Sequence, residues 1–416
     1  MTGWAAPTAS RAVRAEVRVP GSKSATARAL VLSALADGPG TITGGLRARD
    51  SSLMIAGLRA LGAGIDDHGP LWRVDPLGST PAAGASIDCG LAGTVMRFLP
   101  PLAALGSGPT AFSGDPAASA RPMGPLLDAL RQLGAGVVGA GLPLTVTGPV
   151  RRRDVVIDAS ASSQFISALL LAAPRFPAGV RLTHVGGPVP SLPHIEMTVA
   201  ALAARGVAVG GDQRTWAVAA GPIAAAADVI EPDLTTAAVF LGAALVTGGT
   251  VTVPGWPATT HQPGAGVPAI LTRLGGTSSL GAAGLTLTGT GHLTGLDIDL
   301  HAVSELTPVV AALAALADSP SVIRGVGHIR GHETNRLAAL ASEITGLGGD
   351  CRETADGLAI RPARLTGGVF HTCGDHRLAH AAALIGLVVD GVHLDDVSCT
   401  SKTMPEFAAT WAGLVR

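Results

Sequence analysis

The chain has 416 residues, enough for two or three domains, and a formal net charge of −1 at pH 7. This balance gives no support to a nucleic-acid partner or an anionic membrane surface. The apolar runs are short or interrupted by Gly and Pro, and residues 1–20 contain no apolar stretch, so neither a transmembrane helix nor a secretory signal is predicted. The four cysteines form no C-x-x-C pair, which favours a reducing, cytoplasmic compartment.

A unit of about 70 residues repeats along the chain. Short β-like segments after a Gly/Pro/Ser turn recur every 70 or 71 residues, at Ile42, Phe112, Leu182, Thr252, Ile323 and Leu394. A second signal, usually Leu-Gly-small, ends a helix with nearly the same period, at Leu61, Leu133, Arg205, Leu274 and Leu347. The first helix of a unit is predicted at positions such as Ala29–Ala36 and the second at positions such as Leu53–Leu61. With the flanking strands, each unit is predicted to be βαβαββ.

Six such units are too many for one hydrophobic core. We therefore predict an α/β protein with two domains of three units each. Residues 21–231 would form one domain, and residues 1–20 with 232–416 the other. The chain would then cross between them near Pro20 and near Glu231.

Polar residues cluster just before the first helix of every unit, where capping residues predict helix N-termini. Such ends attract anions through free N–H groups and the helix dipole. Cations are unfavourable there, yet Lys23, Arg28, Arg97 and Arg377 stand at these positions. The pattern therefore predicts a polyanionic small ligand.

Lysine is rare in this chain, since Lys23 and Lys402 are the only two. Both follow a serine, in Gly21-Ser22-Lys23-Ser24 and Thr400-Ser401-Lys402-Thr403. Because lysine is a compact point charge and arginine a planar fork, we expect both positions to need an ammonium group. Two surface lysines without a shared role are the alternative.

The densest polar cluster is the segment from His328 to Arg336. His328 and His332 are four residues apart and could form a metal pair, although no third ligand is evident nearby. Glu333 and Arg336 are three apart and could share a helix face, or form a plain surface ion pair.

Taken in order, six segments resemble the 5-enolpyruvylshikimate-3-phosphate (EPSP) synthase family of enolpyruvyl transferases. They are Pro20-Gly21-Ser22-Lys23-Ser24, Leu91-Ala92-Gly93-Thr94-Val95-Met96-Arg97, Ser162-Ser163-Gln164, Glu333-Thr334-Asn335-Arg336, Asp375-His376-Arg377 and Lys402-Thr403. The resemblance implies two inside-out α/β barrels, an active site in the interdomain cleft, and transfer of enolpyruvyl from phosphoenolpyruvate to the 5-hydroxyl of shikimate 3-phosphate. It implies no metal or organic cofactor, and we expect a cytoplasmic monomer whose partners are these two small molecules, with no nucleic acid or membrane.

The resemblance also implies residue roles. Glu305 would be the base at the hydroxyl and Glu333 the acid at the methylene carbon, and Lys23 could share either role. Shikimate 3-phosphate would be held by Lys23, Ser24, Arg28, Ser162, Ser163, Gln164, Ser191, Glu305 and His332. Phosphoenolpyruvate would be held by Lys23, Gly93, Arg121, Gln164, Arg336, Arg377 and Lys402. The 21–231 domain would bind shikimate 3-phosphate, and the other would carry the carboxylates and much of the phosphoenolpyruvate site.

Some positions depart from the family pattern. The family often has Asn, Tyr or Lys where Ala27, Leu91, His194, His328 and His332 stand, and those residue types are scarce throughout this chain. The family usually has Asp where Asn335 stands, and Asp or Asn where Gly374 stands. Two alternatives follow: a paralogue that binds a phosphorylated ligand without turnover, and a transferase with a different acceptor.

Overall fold

The structure is a computed structural model that describes residues 3–78 and 80–415. It divides into two compact units. Gly21–Ile230 is called the N-terminal unit; the residues up to Pro20 and from Glu231 onward are called the C-terminal unit.

Within its described residues, the N-terminal unit contains three four-stranded sheets. The three sheets share one pattern. In spatial order, the first strand is parallel to the second, the second is antiparallel to the third, and the third is antiparallel to the fourth. The strands, in spatial order, are Ala227–Val229, Gly40–Thr43, Leu71–Asp75 and Gly64–Asp66; Ser86–Asp88, Pro109–Ser113, Leu144–Thr147 and Gly136–Val138; and Asp154–Ile157, Val180–His184, Thr215–Val218 and Val209–Gly211.

The described part of the C-terminal unit holds two sheets of the same order and a three-stranded one. Their strands are Arg14–Glu16, Thr250–Val253, Gly284–Thr288 and Thr277–Gly281; Asp297–Asp299, Ser321–Arg324, Leu358–Arg361 and Asp350–Glu353; and Gly368–Phe370, Val392–Leu394 and Trp4–Ala5. All six residues of the predicted strand period lie in the central strands of these sheets.

Two strands are exchanged along the chain. Arg14–Glu16 precedes the first helix of the N-terminal unit but pairs in parallel with Thr250–Val253. Ala227–Val229 precedes the first helix after Glu231 but pairs in parallel with Gly40–Thr43. These pairings explain why residues up to Pro20 belong with the second half of the chain.

The helices of each unit fall into two kinds. Helices that follow the outer strand are buried nearly all round, as expected for core helices: Lys23–Leu35, Gly93–Ala103, Gln164–Ala172, Leu234–Thr247, Thr307–Ala315 and His376–Gly386. The others expose one face: Arg49–Ala60, Pro116–Ser119, Gly124–Gln132, Pro193–Ala203, Val267–Arg273, Arg336–Gly346 and Phe407–Gly413. Short 3₁₀ helices are Ala173–Arg175, Pro263–Gly266, His301–Leu306, Gly327–Gly331 and Ser398–Lys402. None of the helices described is both long and apolar enough to span a bilayer.

The buried helices of a unit pack against one another inside its sheets. Small residues permit this close approach. A Cβ on Gly242 would lie 3.2 Å from the side chain of Leu384 and 3.6 Å from that of Leu313. The Ala- and Gly-rich composition therefore serves an inside-out barrel, in which helices form the core and sheets surround them.

The predicted helix starts were too late. The first helix begins at Lys23 rather than Ala29, because the hydroxyl of Ser22 accepts a hydrogen bond from the Ala25 amide and caps the helix. The next begins at Arg49 rather than Leu53. Lys23 and Ser24, placed before the first helix, therefore lie within its first turn.

One buried imidazole links the core of the C-terminal unit to pH. His380 packs against Phe407 with ring centroids 4.6 Å apart and the rings tilted by 33°, and neither imidazole nitrogen has a hydrogen-bond partner among the described residues. Burial, reinforced by the nearby charge of Arg377, lowers the pKa of His380 from 6.5 to about 3. Between about pH 3 and pH 6.5, the His380 side chain is therefore neutral in the folded protein but protonated in the unfolded chain.

We therefore predict that His380 makes the protein less stable in acid. Its contribution is absent above pH 6.5 and grows as the pH falls towards 3, at up to about 1.4 kcal/mol per pH unit. His380→Phe should flatten the loss of unfolding free energy between pH 6 and 4, measured by urea denaturation. The exposed His393→Gln variant is the control, and equal slopes for His380→Phe and wild type would contradict the prediction.

Candidate active site

In the N-terminal unit, predicted site residues gather at the starts of three buried helices. Lys23, Gly93 and Gln164 are the first residues of helices Lys23–Leu35, Gly93–Ala103 and Gln164–Ala172. The Lys23 ammonium lies 3.5 Å from Oδ2 of Asp50, whose side chain is only 3% exposed. A cation at a helix start is thus compensated by a buried carboxylate.

Two arginines frame Gly93. Arg97 donates to Oε1 of Gln164 at 2.9 Å and to the Pro122 carbonyl at 3.1 Å, and Arg121 donates to the Leu91 carbonyl at 3.1 Å. A Cβ on Gly93 would lie 2.9 Å from a nitrogen of each arginine. The absence of a side chain at Gly93 therefore lets both guanidinium groups approach the helix start.

Arg28 is buried and holds protein groups together. It donates to the hydroxyl of Thr198 at 2.8 Å and to the carbonyls of His194 at 2.7 Å and Ser24 at 2.9 Å. Burial lowers the pKa of Arg28 to about 10. These bonds place Arg28 as a support for the Ser24 backbone and for the segment that carries Ser191.

The serine positions differ in geometry. Ser163 occupies the N-cap without a side-chain cap bond, whereas the Ser162 hydroxyl accepts from the Gln164 amide at 3.2 Å. Ser163 is buried, and its hydroxyl does not cap the helix. Ser191 is also buried and has φ of 52°, a left-handed conformation that is uncommon outside glycine and concentrates at functional sites.

In the C-terminal unit, four charged side chains form a buried row of alternating sign. Lys402 Nζ lies 2.6 Å from Glu333 Oε1, and Arg336 donates to Glu333 Oε2 at 2.9 Å. Arg336 also donates to both oxygens of Asp375, at 2.7 and 3.2 Å. The side chains of Arg336, Glu333 and Lys402 are 2%, 7% and 8% exposed.

This row corrects two expectations for Glu333 and Arg336. Glu333 lies before the helix Arg336–Gly346, not on its face, and the pair is buried rather than on the surface. The carboxylates of Asp375 and Glu333 raise the pKa of Arg336 above its usual value in spite of burial. Arg336 and Lys402 are thus buried away from water, each beside a carboxylate.

Arg377 and Glu305 lie beside this row. Arg377, buried, donates to the Thr235 hydroxyl at 3.0 Å, and Thr235 donates to Asp233 at 2.7 Å. Burial and the charge of Arg336 lower the pKa of Arg377. Glu305 lies in the 3₁₀ helix His301–Leu306. The negative charge of its carboxylate raises the pKa of both Arg336 and Arg377, so the carboxylate lies near both guanidinium groups.

The histidines form a row of imidazole rings. His328 contacts His301 and His332 edge-on, with ring centroids 5.5 and 5.9 Å apart. Arg336 NH1 lies 3.0 Å from His332 Nδ1; because guanidinium only donates, that nitrogen carries the lone pair. Burial lowers the pKa of His328 to about 4. Among the residues that the structure describes, no three His, Cys, Asp or Glu side chains are grouped to hold a metal ion.

The structure explains why Asn335 and Gly374 fit at their positions. The Asn335 side chain caps helix Arg336–Gly346 by accepting from the Ala338 amide at 3.2 Å, a role in which Asn and Asp are equivalent. Gly374 has φ of 68°, and no atom within 4 Å would obstruct a Cβ. Its requirement is therefore conformational, and Gly, Asn and Asp are the residues that tolerate this left-handed region.

Sequence reasoning missed several supporting residues. Arg97 was recognised only as a cation at a helix start and Asp375 stood in a quoted segment without a role, whereas Asp233, Asp50 and Thr198 received no role. A buried carboxylate or hydroxyl on an ordinary helix carries no local signal. The available signal for Arg97 and Asp375 was their position at a helix start.

We predict that Asn335 contributes through the helix cap rather than through its lack of charge. Asn335→Ala should lower the free energy of unfolding by about 1 kcal/mol, whereas Asn335→Asp should lie within about 0.5 kcal/mol of wild type. Chemical denaturation measures both. Equal losses for the two variants would contradict the capping role.

Comparisons with known proteins bear on this arrangement. A family model described as EPSP synthase (3-phosphoshikimate 1-carboxyvinyltransferase) matches residues 7–411. A solved structure of EPSP synthase from Acinetobacter baumannii is 23% identical, with a TM-score of 0.79, over 99% of this chain and 98% of that one. A second structure of EPSP synthase from that organism is 22% identical, with a TM-score of 0.77, over 99% and 97% of the two chains. These structural likenesses confirm the predicted α/β fold.

Proposed function

The chain belongs to the EPSP synthase family, and we propose how its residues divide the work of the family reaction. The enzyme transfers the enolpyruvyl group of phosphoenolpyruvate to the 5-hydroxyl of shikimate 3-phosphate and releases phosphate, a step in aromatic amino-acid biosynthesis. The observation that carries the residue roles is the buried row of Lys402, Glu333, Arg336 and Asp375.

The reaction joins the 5-hydroxyl oxygen to C2 of phosphoenolpyruvate while a proton is added to its methylene carbon. Loss of that methyl proton and of phosphate then restores the double bond. Addition needs a base at the hydroxyl and an acid at the carbon, and elimination reverses the two roles. We assign the hydroxyl to Glu305 and the carbon to Glu333, and Lys23 is the candidate to assist either.

Glu333 starts this cycle as a carboxylate, because each of its oxygens faces a cation. Acting as an acid therefore requires that it first takes up a proton. Phosphoenolpyruvate would bring further negative charge beside Lys402 and Arg336, and neighbouring negative charge favours the protonated form of a carboxyl group. Substrate binding would thus prepare Glu333 for proton delivery.

The remaining residues bind and orient the substrates. For phosphoenolpyruvate we propose Lys23, Gly93, Arg121, Gln164, Arg336, Arg377 and Lys402. For shikimate 3-phosphate we propose Lys23, Ser24, Arg28, Ser162, Ser163, Gln164, Ser191, Glu305 and His332. The N-terminal unit would supply most contacts to shikimate 3-phosphate, and the C-terminal unit the carboxylates. Fixed cations stabilise charge that moves in the transition state without having to reorganise.

We also propose a cytoplasmic monomer. All four cysteines are free thiols, which supports a reducing compartment. Among the described residues, the large apolar side chains that are exposed come singly from different segments of the chain: Leu71, Val138, Val156, Val185, Val229, Leu280, Val369 and Val388.

The assignment of Glu333 is tested by phosphate release from phosphoenolpyruvate with and without shikimate 3-phosphate. We expect release only with both substrates, and Glu333→Gln should lower kcat by about 10²–10⁴-fold, since it cannot carry the proton. Glu343→Gln, on the helix that follows, is the control and should keep wild-type kcat. A Glu333→Gln enzyme of normal kcat would exclude the proposed acid.

Lys402→Arg tests the need for an ammonium group. The side chain is buried with its nitrogen 2.6 Å from Glu333, so a longer, planar guanidinium cannot occupy the same point. We expect kcat to fall at least about tenfold while the melting temperature stays near that of wild type. Near-normal turnover would show that charge alone suffices at this position.

A further inference from the structure

We propose that Asp50 is a positioning residue, which holds the ammonium group of Lys23 at the start of its helix for the transfer reaction. This inference rests on the proposed role of Lys23 as a substrate ligand. Asp50 itself would touch neither substrate. It would act through Lys23 alone.

The burial of Asp50 is the first observation. Its side chain is 3% exposed, it lies in the first turn of helix Arg49–Ala60, and its Oδ2 is 3.5 Å from Lys23 Nζ. That oxygen has no hydrogen-bond partner among the described residues. A buried carboxylate without such a partner is costly unless a charge compensates it, and here the compensation comes from Lys23 and the helix dipole.

A purely structural role in capping does not account for this oxygen. The N-cap residue of the helix is Ala48, which makes no side-chain cap bond, and Oδ2 of Asp50 is not bonded to the helix backbone. The adjacent Arg49 pairs instead with Asp115 at 2.7 Å, and both of those side chains are exposed. The Asp50 side chain is therefore directed towards Lys23, whereas the Arg49 side chain pairs with a different residue at the surface.

Such a carboxylate has two opposite effects on an anionic substrate. It lowers the positive potential that attracts the anion, which weakens ground-state binding. It also restricts a flexible four-carbon side chain to one place, and orientation of this kind accelerates the chemical step. Removing the charge should therefore leave substrate binding intact or improve it, while it slows turnover.

Steady-state kinetics and calorimetry on Asp50→Asn test this separation. We expect kcat to fall at least about tenfold, with KM and Kd for phosphoenolpyruvate equal to or below the wild-type values. Asp115→Asn removes the same charge from the exposed neighbouring pair and should match wild type in all three constants. An unchanged kcat, or a loss in which KM rises in proportion, would overturn the proposal.

A variant that lacks the Lys23 ammonium group shows whether Asp50 acts through Lys23 or directly on the reaction. In Lys23→Gln, the further change Asp50→Asn should no longer lower kcat, because no ammonium remains to be held. Additive losses of kcat from the two changes would contradict the proposal. Should Asp50→Asn not fold, Asp50→Glu, which keeps the charge but moves it by one methylene, should show the same lowered kcat at unchanged Kd; wild-type kcat there would overturn the proposal.

The same variants distinguish this inference from the proposed function. An impaired Lys23→Gln enzyme together with a fully active Asp50→Asn enzyme refutes only the role of Asp50. A Lys23→Gln enzyme with wild-type kcat and Kd refutes the assignment of Lys23 itself, and the role of Asp50 falls with it.

Discussion

The ion pair between Glu333 and its two cations is the interaction on which the C-terminal site depends. Lys402 and Arg336 are almost fully buried, and neither would remain so as an isolated charge, because the loss of hydration costs several kcal/mol per ion. Glu333 offers one oxygen to each of them. Asp375 completes the row by accepting two bonds from Arg336 while it caps the next buried helix. Removing either carboxylate would take one of its two ionised partners from buried Arg336.

The repeated fold explains why such charges can gather at all. Each βαβαββ unit ends its outer strand at the start of a buried helix, so every repeat places a helix N-terminus at the same point in its architecture. Free N–H groups there suit an anion, whereas a cation is unfavourable there unless a neighbouring group compensates it. Asp50 serves Lys23 in this way, and Asp375 serves Arg336.

The sequence predicted the architecture better than the site. The 70-residue period located every central strand, since strand and turn signals recur wherever a repeat recurs. Helix starts were placed up to six residues late because Lys23, Ser24 and Arg28 are polar, and burial of such residues within a helix is a tertiary effect. Asp50 was missed for the same reason: 27 residues separate it from Lys23, and no local pattern joins them. Asn335 and Gly374, which raised the possibility of an inactive paralogue, instead satisfy a cap and a left-handed turn.

The paired carboxylates also bear on how binding energy is used. A site of bare cations would bind any phosphate tightly, and tight binding of the ground state does not accelerate the chemical step. Under the proposed roles, an arriving anion would compete for cations that Asp50, Glu333 and Asp375 already neutralise, and ground-state affinity would be moderated. When charge develops on the departing phosphate, the same cations are already in position and need no reorganisation. Under the proposed roles, the carboxylates would therefore move part of the available attraction from substrate binding to stabilisation of the transition state.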